Sequence, residues 1–103
     1  MSTDILEEVK IDEKIEENIS EPSKYKVVFL NDNQTPMEWV VGLLVTIFKH
    51  SENTANEIML TIHNEGSAVV GIYTYEIAEQ KSLESTNLSR GHGFPLQIKI
   101  EKE

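Results

Sequence analysis

From residue 25 onward, the apolar positions of this 103-residue chain fall into two patterns. Short β-branched or aromatic runs alternate with stretches in which apolar residues recur every three or four positions. Tyr25-Lys26-Val27-Val28-Phe29-Leu30 is of the first kind and stops at Asn31-Asp32-Asn33, whose side chains favour turns. A strand running into a loop is predicted. Thr35-Pro36-Met37-Glu38 then has the form of a helix start: a Thr cap, Pro at the first helical position, and Glu three residues after the cap. In such a capping box two orphan backbone N–H groups are satisfied reciprocally. Trp39, Val40, Leu43, Leu44, Ile47 and Phe48 continue at helical spacing towards an end near His50.

Ser51 is placed to cap a second helix, in which Ala55, Ile58, Met59 and Ile62 share one face, with Gly66 as a left-handed stop. Ala68 to Tyr73 is a short apolar run of strand type. Thr74 can cap a third helix from about Tyr75 to Ser89, ended by Gly91-His92-Gly93. Its apolar stripe is thin, mainly Ile77, Ala78 and Leu88, so one face should be exposed. Phe94 to Ile100 closes the domain as a strand in which Leu96, Ile98 and Ile100 alternate with Gln97 and Lys99. The order β-α-α-β-α-β predicts a single compact α+β domain: a three-stranded antiparallel sheet with helices packed on one face.

Residues 1–24 differ in character. They hold eight acidic and three basic side chains, and Pro22 would stop any transient helix built on Ile5, Val9 and Ile15. Their composition predicts an acidic, mostly disordered extension, with the folded domain confined to 25–103. The whole chain carries a net charge of -9, which argues against nucleic acid and anionic membranes as partners. Cationic ligands remain admissible, a peptide's free α-amino group among them. There are no cysteines, hence no disulfide or thiolate chemistry. No apolar run is long enough to span a membrane, and the N-terminus has no signal-peptide pattern. A cytoplasmic location is the expectation.

Catalytic constellations are sparse. Gly91-His92-Gly93 lacks the rest of a phosphate-binding loop, no Ser sits in a Gly-x-Ser-x-Gly elbow, and His50, His63 and His92 lack metal-gripping spacing. No cofactor or metal is expected. An enzyme would have to use His63 as a base against Asp32. Taken singly, His63 suits a partly buried helix-ending residue, Met37 and Met59 suit core filler, and Asn31-Asp32-Asn33 suits an ordinary turn.

Together these residues form a recognisable string. Tyr25 to Val40 resembles the signature of the ClpS family: Tyr-Lys-Val, three residues, Asn-Asp-Asp, one residue, then Thr-Pro-Met-Glu-Phe-Val. The likeness continues through Met59-Leu60-Thr61-Ile62-His63, Gly66, Gly71-Ile72-Tyr73-Thr74, Glu76-Ile77-Ala78-Glu79, Lys81 and Pro95-Leu96. It implies a non-enzymatic adaptor, monomeric and bacterial, that binds N-degrons. These are free N-terminal Leu, Phe, Tyr or Trp, delivered to a Clp AAA+ unfoldase and its protease. By position, Asn31, Asp32 and His63 would hold the α-amino group and first peptide bond. An ammonium has three donors and no acceptor, so a carboxylate and neutral acceptors suit it. Thr35, Met37, Val40, Met59, Ile62 and Leu96 would wall the side-chain pocket, with Met37 at its mouth excluding β-branched residues. Glu76 and Lys81 would contact the N-terminal domain of the unfoldase, and the acidic extension would take part in delivery.

Two departures from the family pattern stand out. Asn33 replaces a usual second acidic residue, which removes one negative charge from the gate. Trp39 replaces the usual Phe, for which only a packing change is expected. The rival expectation is a structural or interaction domain that keeps this fold, as the ribosomal stalk protein's C-terminal domain does, without binding N-termini.

Overall fold

The computed structural model describes residues 22–103, so the expectations for the acidic extension before Pro22 lie outside the described residues. The chain forms β1 (Lys24–Leu30), α1 (Met37–Thr46), α2 (Glu52–Glu65), β2 (Ser67–Thr74), α3 (Tyr75–Gly91) and β3 (Gln97–Lys102). The sheet is antiparallel in the order β2-β1-β3, which puts the first strand in the middle. The expected architecture is borne out.

Alternation on β1 settles the two faces of the sheet. Tyr25, Val27 and Phe29 meet the helices, together with Ile98 and Ile100 of β3. Val70, Leu44, Leu43 and Ala55 join them in one apolar cluster, where Phe29 and Phe48 pack edge to face at 5.4 Å. Between Val27 and Val28 the pairing with β2 slips by one residue, so Val28 faces Val69 while Val27 faces Gly71. The bulge leaves Val70 unpaired and lets it turn into the core, 1% exposed. Gly71 has a steric reason: the Tyr73 ring lies where any side chain at 71 would project.

Helix α2 follows its sequence signals closely. The Ser51 hydroxyl accepts the Thr54 N–H at 3.1 Å, and Gly66 ends the helix with φ 96°. Helix α1 departs from expectation at both ends. The capping box is not made: Pro36 occupies the cap position, and the Thr35 hydroxyl bonds to Asp32 instead. The helix also stops at Thr46, where a turn through Lys49 at φ 63° redirects the chain. Phe48 is therefore core without being helical.

Helix α3 corrects the expected stripe more sharply. Its buried side is Ala78, Ser82, Ser85 and Ser89, all small, whereas Ile77 and Leu88 are 44% and 43% exposed. Small residues let the α3 backbone approach the rest of the domain closely, and the larger apolar side chains are left on the outer face. Trp39 explains part of this arrangement. Its indole N–H donates to the Ser89 hydroxyl at 2.8 Å, and its ring packs against His92 and Phe94. The Trp therefore does more than alter packing: it adds a polar link between α1 and α3 that a Phe could not make.

Candidate functional site

The loop from Asn31 to Pro36 joins the central strand to α1 and is organised around one carboxylate. Asp32 Oδ1 accepts the backbone N–H groups of Gln34 and Thr35 at 2.8 and 2.7 Å, and Oδ2 accepts the Thr35 hydroxyl at 2.8 Å. A carboxylate has about four acceptor positions, so three bonds leave Asp32 with room for one more donor. Partial burial works to raise its pKa. The hydrogen bonds from Thr35 and Gln34 and the nearby Arg90 charge outweigh that, and hold the carboxyl below its usual 3.8. At neutral pH this loop therefore carries a firm negative charge.

Asn31 ties the loop to the end of α2. Its backbone N–H donates to the Gly66 carbonyl at 2.9 Å, and the neighbouring Leu30 pairs with Ser67. His63 stands in the last turn of α2, just before Gly66. The Asn31–Asp32 loop and the turn carrying His63 are thus joined through a single backbone bond. Both Asn31 and His63 are exposed, which corrects the expectation of a partly buried helix-ending histidine. The core ends below this turn, with Ile62 facing in and His63 facing out.

The six expected pocket walls divide into two layers. Val40, Ile62 and Leu96 belong to the buried cluster, at 6%, 3% and 1% exposure. Thr35 and Met59 are half-buried, and Met37 is 45% exposed. Met37 and Met59 line a groove of about 590 Å³ between α1 and α2, walled further by Val41 and Val45. Leu96 comes just before β3, and its carbonyl accepts a bond from Arg90 Nη1 at 3.1 Å. Arg90 is the residue that sequence reasoning missed. It anchors one expected wall and biases the Asp32 carboxyl, yet nothing local in the sequence connects it to either.

The two expected docking residues stand on α3 in different settings. Glu76 is exposed in the first turn, beside a cleft of about 450 Å³ lined by Pro22, Tyr25, Thr74 and Tyr75. Lys81 is half-buried: its ammonium donates to the Ile47 carbonyl at 2.7 Å and lies over the rings of Phe48 and Tyr73. It therefore closes the C-terminal end of α1. Among the described residues, no group of three or more His, Asp or Glu could hold a metal ion, and no helix is long and apolar enough to cross a membrane.

On this small α+β scaffold the loop that holds the ionised Asp32 leads into α1, one wall of the methionine-lined groove. The chain belongs to the ClpS family: the family model for the ATP-dependent Clp protease adaptor protein ClpS matches residues 20–99. The ClpS adapter of Treponema denticola is 43% identical over 88 residues, covering 85% of this chain and 87% of that protein. That of Hyphomonas neptunium is 48% identical over 82 residues, covering 80% and 70%. The structure of Agrobacterium tumefaciens ClpS2 bound to L-phenylalaninamide superposes with a TM-score of 0.78 at 44% identity. That match covers 81% of this chain and all of the other. The resemblance seen in the sequence is borne out.

Proposed function

We propose that this chain is a non-enzymatic adaptor that captures proteins with a free N-terminal Leu, Phe, Tyr or Trp. It hands them to the N-terminal domain of a Clp unfoldase in the bacterial cytoplasm, and acts as a monomer. The observation that carries this reading is the ligand of the 44% identical Agrobacterium protein. Phenylalaninamide combines a free α-amino group with a bulky side chain, and its amide stands in for the first peptide bond.

In this reading Asp32 supplies the charge for the ammonium through its remaining acceptor position, aided by the Asn31 side-chain carbonyl and a His63 ring nitrogen. Thr35, Met37, Val40, Met59, Ile62 and Leu96 enclose the first side chain. Burying such a side chain contributes about 1.5–3 kcal/mol, and each charge-assisted hydrogen bond adds roughly the same. After the cost of ordering the peptide, a Kd in the low micromolar range or tighter is expected, about -8 kcal/mol. Glu76 and Lys81 contribute to the surface that meets the unfoldase.

The test is fluorescence anisotropy of a labelled peptide beginning with free Phe, beside its N-acetylated form and a version beginning with Ala. Tight binding of the free Phe peptide alone is the expected outcome. Equal binding of all three would leave a domain of this family that does not recognise N-termini.

A further inference from the structure

The groove between α1 and α2 extends well beyond the two methionines that it shares with the proposed side-chain pocket. From the Met37 and Met59 end it runs along α1 past Glu38, Val41, Gly42 and Val45 to Thr46, and along α2 past Asn56 to Glu52. The ten residues of α1 make it about 15 Å long. An extended chain advances about 3.3 Å per residue, so about four residues fit along it.

Gly42 lines the groove as an exposed position of α1. A glycine inside a helix costs about 1 kcal/mol relative to alanine, and it usually has a steric reason. Here a Cβ would meet nothing within 4 Å. No contact within the folded chain requires the glycine, and the open space above it is room for a chain lying in the groove. Two carboxylates rim the same groove at opposite ends, Glu38 beside Met37 and Glu52 at the start of α2. Because the expected capping box is not formed, the Glu38 side chain has no cap to serve. Among the described residues, neither carboxylate is in an ion pair.

We infer that this groove carries residues two to five of a bound N-terminus and selects cationic side chains there, Glu38 acting at position two and Glu52 at positions four and five. The inference rests on the N-terminus reading above and gives that site a direction. The first residue sits by Asp32 and Met37, and the chain leaves towards Thr46 and Glu52.

The experiment uses longer peptides led by free Phe, with a single Lys or Gln at positions two, three, four or five, titrated into the full chain. Lys is expected to tighten Kd about two- to fivefold over Gln at position two and at positions four and five, the range of an exposed ion pair. Glu38→Gln should erase the preference at position two, and Glu52→Gln that at four and five. Glu84→Gln, on the exposed side of α3, should erase neither. Gly42→Leu, whose Cβ meets nothing within 4 Å in the folded chain, should weaken the longer peptides while leaving competition by L-phenylalaninamide unchanged. A Lys preference that is uniform along the peptide and indifferent to both groove variants would reflect overall charge and overturn the inference, as would no preference at all. If free and acetylated Phe peptides bind alike, the N-terminus reading itself has failed, a result distinct from either of these.

Discussion

The two ends of α1 are fastened by opposite charges. Before its first turn, the Asp32 carboxylate collects three donors from its own loop. At its last turn, the Lys81 ammonium donates to the Ile47 carbonyl. Both signs suit the helix macrodipole, negative towards the N-terminus and positive towards the C-terminus. The difference lies in what each group has left over. Asp32 keeps an acceptor position in the loop that leads into α1, whereas Lys81 lies over two aromatic rings and is half-buried. A charge expected to meet a ligand and a charge expected to meet a partner thus both hold the fold together. Alanine replacement at either would mix the two roles.

The largest effect separates those roles at Asp32. Asp32→Ala removes the acceptor of all three of these bonds, and should cost about 2–3 kcal/mol of stability along with peptide binding. Asp32→Asn keeps an oxygen for the Gln34 and Thr35 N–H groups. It should cost only about 1 kcal/mol, yet weaken a Phe-led peptide by about 10- to 100-fold through the lost charge. Urea denaturation and anisotropy on the two variants check this. Parallel losses in both measurements would mean that the charge has no role beyond the loop.

The acid limb sharpens the same point. Asp32 ionises more readily in the folded chain than at its ordinary 3.8. Its charge therefore contributes stability that is present above pH 3.8 and lost as pH falls through the lower folded value. The stability gap between the native chain and Asp32→Asn should hold down to about pH 3.8 and close progressively below it. A gap that closes well above it would reverse the sign assigned to this carboxyl.

At the other end, Lys81→Met keeps the apolar stem over Phe48 and Tyr73 but leaves the Ile47 carbonyl without its donor. A loss of about 1 kcal/mol is expected, with Phe-peptide affinity unchanged. Trp39→Phe removes the bond to Ser89 and should cost about 1 kcal/mol in thermal or urea unfolding. The smallest effect has the opposite sign. Ser85 is fully buried with an unpartnered hydroxyl, so Ser85→Ala should stabilise the domain by about 0.5–1 kcal/mol.

Legibility followed the distance between partners along the chain. Asp32 bonds to residues two and three positions on, and Ser51 caps a helix three residues on, so local side-chain chemistry announced both the turn and the second helix. The capping box was equally local and failed, because Pro36 takes the cap position and the Thr35 hydroxyl donates to the ionised Asp32 carboxylate, a charge-assisted bond. Lys81 and Arg90 gave no local sign of their tasks. The Lys81 partner is 34 residues away, and Arg90 reaches both the turn before β3 and the Asp32 loop.

By itself, the sequence determined the order of elements, the alternation in the last strand, the absence of thiol chemistry and the family. Those follow from periodicity, composition and a motif whose spacing is fixed in the chain. Only the tertiary structure decided that α3 buries serines and turns its large apolar residues outward. A stripe of small side chains is recognised by what packs against it, and hydropathy along one helix carries no such information. The same holds for the groove. Gly42, Glu38 and Glu52 are unremarkable in order, and become a surface with a direction only when α2 is laid beside α1.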